Sequence, residues 1–209
     1  MKKILIALML TSLFISAQNN NKHIFYLHGM IVEIQGVHAV SDTFGEYRYN
    51  DIIEALKSTG ATIHHEVRTR QTDYDTFCKK VSSQIDSLIA SGVKPKDITV
   101  IGASMGAIMT MTISSINTNP INYVLLGANS DRLEKQGNYN LHGRILGIYE
   151  KSDTIAGKNY QFWIDTSTEV ETFKQLEINT GLNHGFLYRP YNAWLKPAKE
   201  WMNNKFNDE

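Results

Sequence analysis

Gly102-Ala103-Ser104-Met105-Gly106 decides the reading of this chain. It stands between Asp97-Ile98-Thr99-Val100-Ile101, a β-branched apolar run that suits a buried strand, and Ala107-Ile108-Met109-Thr110-Met111, which suits a buried helix. G-x-S-x-G between a strand and a helix is a sharp elbow that lifts a serine hydroxyl above a sheet, and the flanking glycines keep side chains out of the corner. Ser104 is therefore the candidate nucleophile. A serine hydroxyl is a weak nucleophile at neutral pH, so it needs a base within hydrogen-bond reach and a carboxylate that holds the base in one tautomer.

Downstream of the elbow, the helix runs to about residue 116 and Ile121-Asn122-Tyr123-Val124-Leu125-Leu126 reads as the next strand. Residues 129–141 form a short polar connection, and Arg144-Ile145-Leu146-Gly147-Ile148-Tyr149 is a further strand leading into Glu150-Lys151-Ser152-Asp153. Residues 154–167 read as a loop, and residues 172–179 as a strand that enters Thr180-Gly181-Leu182-Asn183-His184-Gly185. The tail, residues 191–206, is helical, with Pro197 breaking it or opening a second short helix; Trp194 and Trp201 pack it on the sheet.

Upstream, Ile24-Phe25-Tyr26-Leu27 is a short strand ending in His28-Gly29-Met30. Residues 31–49 read as a long irregular segment and a candidate wall of the substrate pocket, since loops of this length in compact domains are often functional. A helix over residues 49–60 and a strand over 61–68 follow. Thr72 and Asp75 read as a capping box opening a helix to residue 91, with Tyr74, Phe77, Cys78, Val81, Ile85, Leu88 and Ile89 as its apolar stripe.

Strands alternating with helices argue for a parallel sheet covered on both faces. Ser104, Asp153 and His184 then all lie beyond the carboxyl ends of strands, on the edge where open α/β sheets hold ligands. Glu150 is the alternative acid, closer to the strand body and better suited to a structural role, while Asp131 and Asp165 read as solvated loop residues. His142 precedes a strand and so lies at the opposite edge; His23, His38, His64 and His65 precede the nucleophile. Ser130 and Ser152 lack an elbow. His64-His65-Glu66 cannot converge on one metal ion, because neighbouring strand residues face opposite sides.

The 209 residues suit one domain of ordinary globular composition, 42% apolar and 20% charged. Lys2 and Lys3, the apolar run from Ile4 to Ile15, and Ser16-Ala17 have signal-peptide architecture, so residues 1–17 are expected to be cleaved and residues 18–209 to form the domain, exported to the periplasm or beyond. The apolar run is too short to span a bilayer comfortably, so no stable membrane insertion is expected after cleavage. Cleavage leaves 19 basic against 21 acidic side chains, a balance with no electrostatic footprint for nucleic acid. Cys78, the single cysteine, cannot form an internal disulfide and has no motif around it, so the core must hold the fold.

Through Leu27-His28-Gly29-Met30, the elbow, Gly147 to Asp153 and Leu182-Asn183-His184-Gly185, the mature chain resembles the α/β-hydrolase superfamily over nearly all its length. It is similar in particular to small lidless bacterial members of undefined substrate that carry a His-Gly-Met-Ile-Val-Glu run. The resemblance implies a serine hydrolase of carboxylesterase type, with no cofactor and a small-molecule acyl substrate. Ser104 would attack, His184 would shuttle the proton, Asp153 would orient the imidazole, and the backbone N–H groups of Met105 and Met30 would hold the oxyanion. An acyltransferase using the same triad, or a non-catalytic binding module on the same fold, remains open at this point. The resemblance implies an eight-stranded sheet, but only about six residues separate the cleavage site from the first strand, so the first two strands are expected to be missing and the sheet to be a minimal one: six parallel strands in the order 2-1-3-4-5-6, helices on both faces and no antiparallel edge.

Overall fold

A computed structural model describes residues 21–206; the expected signal segment, residues 1–17, lies outside them. The architecture is a three-layer sandwich. Six parallel strands, β1 (His23–Leu27), β4 (Thr62–His65), β5 (Ile98–Ala103), β6 (Asn122–Leu126), β7 (His142–Glu150) and β8 (Glu169–Ile178), stand in the order β4-β1-β5-β6-β7-β8. Counted along the chain this is 2-1-3-4-5-6, as expected.

Alternation along the strands splits the core in two, because successive side chains face opposite sides of a sheet. Ile24 and Tyr26 of β1, Ile101 and Ala103 of β5, and Val124 and Leu126 of β6 face one layer, formed by α1 (Met30–Gln35), α2 (Tyr49–Lys57) and α7 (Asn192–Met202). Phe25, Leu27, Val100, Tyr123 and Leu125 face the other, where α3 (Tyr74–Ala90) and α4 (Met105–Ile116) pack. Both faces are dry, which explains why the central strands read as unbroken apolar runs.

The structure corrects the sequence reading at several points. Residues 31–49 are not irregular throughout: Gly29 opens α1, Gly36 at φ +80° ends it, and Val40–Ser41 (β2) pairs antiparallel with Gly45–Glu46 (β3) as a separate hairpin. The polar connections on either side of β7 contain α5 (Asp131–Gln136) and α6 (Gln161–Thr166), both of six residues and too short for a clear helical period. The cap of α3 is Asp73, whose carboxylate accepts from Thr76 N–H at 2.8 Å; Thr72 instead accepts from Thr69 N–H. The second strand of the chain's sheet, β4, is shorter than residues 61–68, and β8 starts earlier than residue 172 because it is an edge strand whose charged outer positions, Glu169 and Glu171, carry no apolar signal. Pro197 neither breaks α7 nor starts a new helix: it is the sixth of the eleven residues of Asn192–Met202, and the helix continues through it although a proline there has no N–H to give the Ala193 carbonyl. Trp194 and Trp201 are buried against the sheet.

Candidate active site

The elbow is as tight as its glycines imply. Ser104 has φ +52° and ψ −116°, a strained conformation for a residue with a side chain, and its N–H donates to Leu126 O at 2.9 Å. A side chain at Gly102 would collide with the Gly106 backbone and Thr110, and one at Gly106 with the Leu27 carbonyl, so the glycines let α4 sit directly on β5 and β1. This geometry turns the Ser104 hydroxyl toward the turn after β8.

There His184 Nε2 lies 2.9 Å from Ser104 Oγ, and His184 Nδ1 lies 2.7 Å from Asp153 Oδ2. The three residues named from the sequence are thus brought into one continuous hydrogen-bonded line. Asp153 and His184 are buried, and the remaining Asp153 oxygen accepts from Ile155 N–H at 2.8 Å and Ala156 N–H at 3.1 Å. Burial pushes the Asp153 carboxyl up, but the His184 hydrogen bond and charge and the two N–H donors outweigh it, leaving the group below the usual carboxylate range. Asp153 is therefore ionised at neutral pH, the state that holds His184 with its proton on Nδ1 and a lone pair on Nε2.

Met105 and Met30 are the first residues of α4 and α1, so their N–H groups have no acceptor within their own helices. They are neighbours in space: a Cβ built on Gly29 would lie 3.5 Å from Ser104 Cβ, which places the start of α1 against the nucleophile.

The His28 side chain holds the peptide that follows it. It is fully buried, its Nε2 accepts from Arg68 N–H at 2.9 Å, and its Nδ1 must then carry the proton donated to Gly29 O at 2.9 Å. A carbonyl held from one side fixes the opposite direction of the N–H on the same peptide plane, which here is that of Met30. Burial, and then the Arg68 charge, lower the His28 pKa to about 4 against a weaker opposing effect of the Gly29 bond, so the ring is neutral. Arg68 is itself buried, donates to the His28 carbonyl, and lies 3.6 Å from the Glu33 carboxylate of α1.

Glu150, the alternative acid, does not face Ser104. Its fully buried carboxylate accepts from Ser152 N–H and Oγ–H, from Thr180 N–H at 2.8 Å and from Gly181 N–H at 3.0 Å. Burial pushes its pKa up, but these donors outweigh it and hold it below the ordinary glutamate value. Ser152 Oγ in turn accepts from Asn183 N–H at 3.1 Å, so Glu150 ties the turn that carries Asp153 to the turn that carries His184. No sequence signal beyond its proximity to the strand end marks this role.

The other polar residues take structural places. His142 begins β7 at the far edge and bonds to Ser114; His64 stacks on Phe25 while His65 bonds to Tyr49, so the two histidines diverge. Burial pushes the Cys78 thiol up to about 12, leaving it unreactive. Phe44, from the turn of the β2–β3 hairpin, stands 6.3 Å from His184 ring to ring, so the segment expected to wall the pocket does flank the imidazole.

No family model and no curated protein matches the sequence. Solved structures do match. Arabidopsis thaliana SOBER1 is 15% identical with a TM-score of 0.54, over 90% of this chain and 100% of that one. The Pyrococcus furiosus esterase Pf2001 is 16% identical with a TM-score of 0.57, over 90% and 86% of the two chains. Mouse alpha/beta hydrolase domain-containing protein 10 is 11% identical with a TM-score of 0.52, over 87% and 88%. Likeness at such identities speaks to architecture alone, and together with the strand order and the elbow it gives the chain an α/β-hydrolase fold, in a minimal form with six parallel strands.

Proposed function

We propose that this protein is a serine hydrolase of the carboxylesterase type, cleaving a small or accessible ester through an acyl-serine intermediate. The observation that carries the reading is the unbroken hydrogen-bonded line from Ser104 Oγ through His184 to Asp153, and an ionised Asp153 favours the tautomer in which Nε2 can accept a proton. In the proposed reaction Ser104 Oγ bonds to the acyl carbon as its proton passes to His184 Nε2. The carbonyl oxygen becomes an oxyanion facing the N–H groups of Met105 and Met30, each worth about 3 kcal/mol to such a transition state. The ester C–O bond then breaks, the leaving alkoxide takes the proton from Nε2, and water repeats the sequence to release the acid. Among the described residues the connection between β6 and β7 holds only the six-residue α5, a short cover that favours water as the second acceptor.

The test is hydrolysis of p-nitrophenyl acetate by the wild type, Ser104→Ala, His184→Ala and the double variant. Residues acting as one unit lose a similar, large factor singly and together, on the order of 10³-fold or more in kcat. Equal turnover by the wild type and Ser104→Ala would contradict the reading.

A further inference from the structure

Beside the elbow a cleft of about 390 Å³ opens between the starts of α1 and α4 and the short helix α5. Most of its lining is apolar, from Met30, Met105, Ile108, Leu133 and Tyr139, while Ser130, Arg132 and Gln136 are its polar members and Arg132 Nε donates to Gln136 Oε1 at 3.0 Å. Two of these, Met30 and Met105, are the residues whose backbone N–H groups face the oxyanion position in the reading above. A group whose carbonyl oxygen sits on those N–H groups therefore has this cleft as its immediate neighbour.

The direction of the two ester substituents follows from proton delivery. The leaving oxygen must reach His184 Nε2, so the alcohol part lies toward His184 and its neighbour Phe44. The acyl substituent on the same tetrahedral carbon points away from them. The apolar cleft is lined by neither His184 nor Phe44, which puts it on the acyl side. A second hollow at this edge, lined by Asp131, Asp153, Thr154, Ile155 and Lys158, carries three charged side chains, and its Lys158 is already paired with Asp131 and Glu134. An alkyl chain there would desolvate charges without compensation. Met30 is nonetheless 46% exposed, an arrangement that leaves apolar surface to be covered when a chain lies along it.

We propose that this cleft seats the acyl chain of the substrate and that the preferred substrates are esters of apolar-chain carboxylic acids longer than acetate. The proposal rests on Ser104 as the acyl acceptor. Side-chain methionines and an isoleucine make the surface adaptable and deep in apolar contact, while Tyr139, held edge-on to Trp163 at 5.3 Å, gives it one rigid wall.

The test is kcat/KM for p-nitrophenyl acetate, butyrate, hexanoate and octanoate, with labelling by a fluorophosphonate probe measured in parallel. For the wild type, kcat/KM should rise roughly fourfold for each methylene buried until the cleft is full. Ile108→Trp and Leu133→Trp, each of which fills the cleft from a different helix, should flatten that rise, so that the octanoate-to-acetate ratio of kcat/KM falls toward one in variants that still take the probe. A flat or falling series in a wild type that labels normally overturns the proposal and leaves the acyl-serine reading intact. So does a wild-type slope in both tryptophan variants. A folded wild type that fails to label overturns Ser104 as acyl acceptor and the proposal with it.

Discussion

Among single residues, Ser104, Asp153 and His184 could be named from the sequence because each ends a strand at one edge of the sheet, and that placement follows from the apolar runs before them. His28 could not be assigned a task, because its work lies in a bond to the next residue's carbonyl and another to Arg68, forty positions away. His28→Gln tests that task. One amide cannot satisfy both partners in the ring's geometry, so the Met30 N–H should lose its fixed direction, and kcat should fall by roughly 10- to 100-fold with little change in KM. An unchanged kcat would show that the Gly29–Met30 peptide is held without the ring. The same variant has a pH signature. With a folded pKa of about 4 against about 6.5 for a free imidazole, the folded state resists protonation while the unfolded chain accepts it, so stability falls as pH drops from about 6.5 toward 4. Urea midpoints at pH 7 and pH 4.5 should show the wild type losing up to about 3 kcal/mol more than His28→Gln between the two. Equal losses would mean that His28 is not buried as a neutral ring.

At the scale of elements, the central strands and the longer helices α3 and α4 were legible because their apolar periods run long enough to stand out. The short pieces were not. α1, α5 and α6 have six residues each, and the β2–β3 hairpin has two-residue strands, lengths at which turn geometry and tertiary contacts decide the conformation. The edge strand β8 was trimmed for a different reason, its charged solvent side. The coupling of the turns after β7 and β8 through Glu150 was equally hidden, since a carboxylate buried to collect backbone N–H groups looks in sequence like any strand-end glutamate. Glu150→Gln keeps the volume but turns an amide NH₂ onto N–H donors. It should lower stability by about 3 kcal/mol, roughly 6–12 °C in Tm, and lower kcat by about tenfold or more with KM retained, because the Asp153 and His184 turns lose their common anchor. A large fall in Tm with full kcat below the new transition would restrict Glu150 to the fold.

For the whole molecule, a parallel sheet with both faces covered holds the chain together with its one cysteine buried and free, as the composition required. Strand–helix alternation argued only for a parallel sheet covered on both faces, and the six-strand order came from the resemblance to the α/β-hydrolase superfamily with its first two strands left out. The same architecture delivers the elbow, the acid turn and the histidine turn to one edge, and it leaves the apolar cleft beside them open to solvent. What ties these levels together is the claim that Ser104 is an acyl acceptor. Intact-mass spectrometry after treatment with a fluorophosphonate probe measures that claim most directly. One adduct per chain, mapped to Ser104 and absent from a folded Ser104→Ala variant, is the predicted result. A folded wild type that stays unmodified, or an adduct that persists in Ser104→Ala, would contradict it.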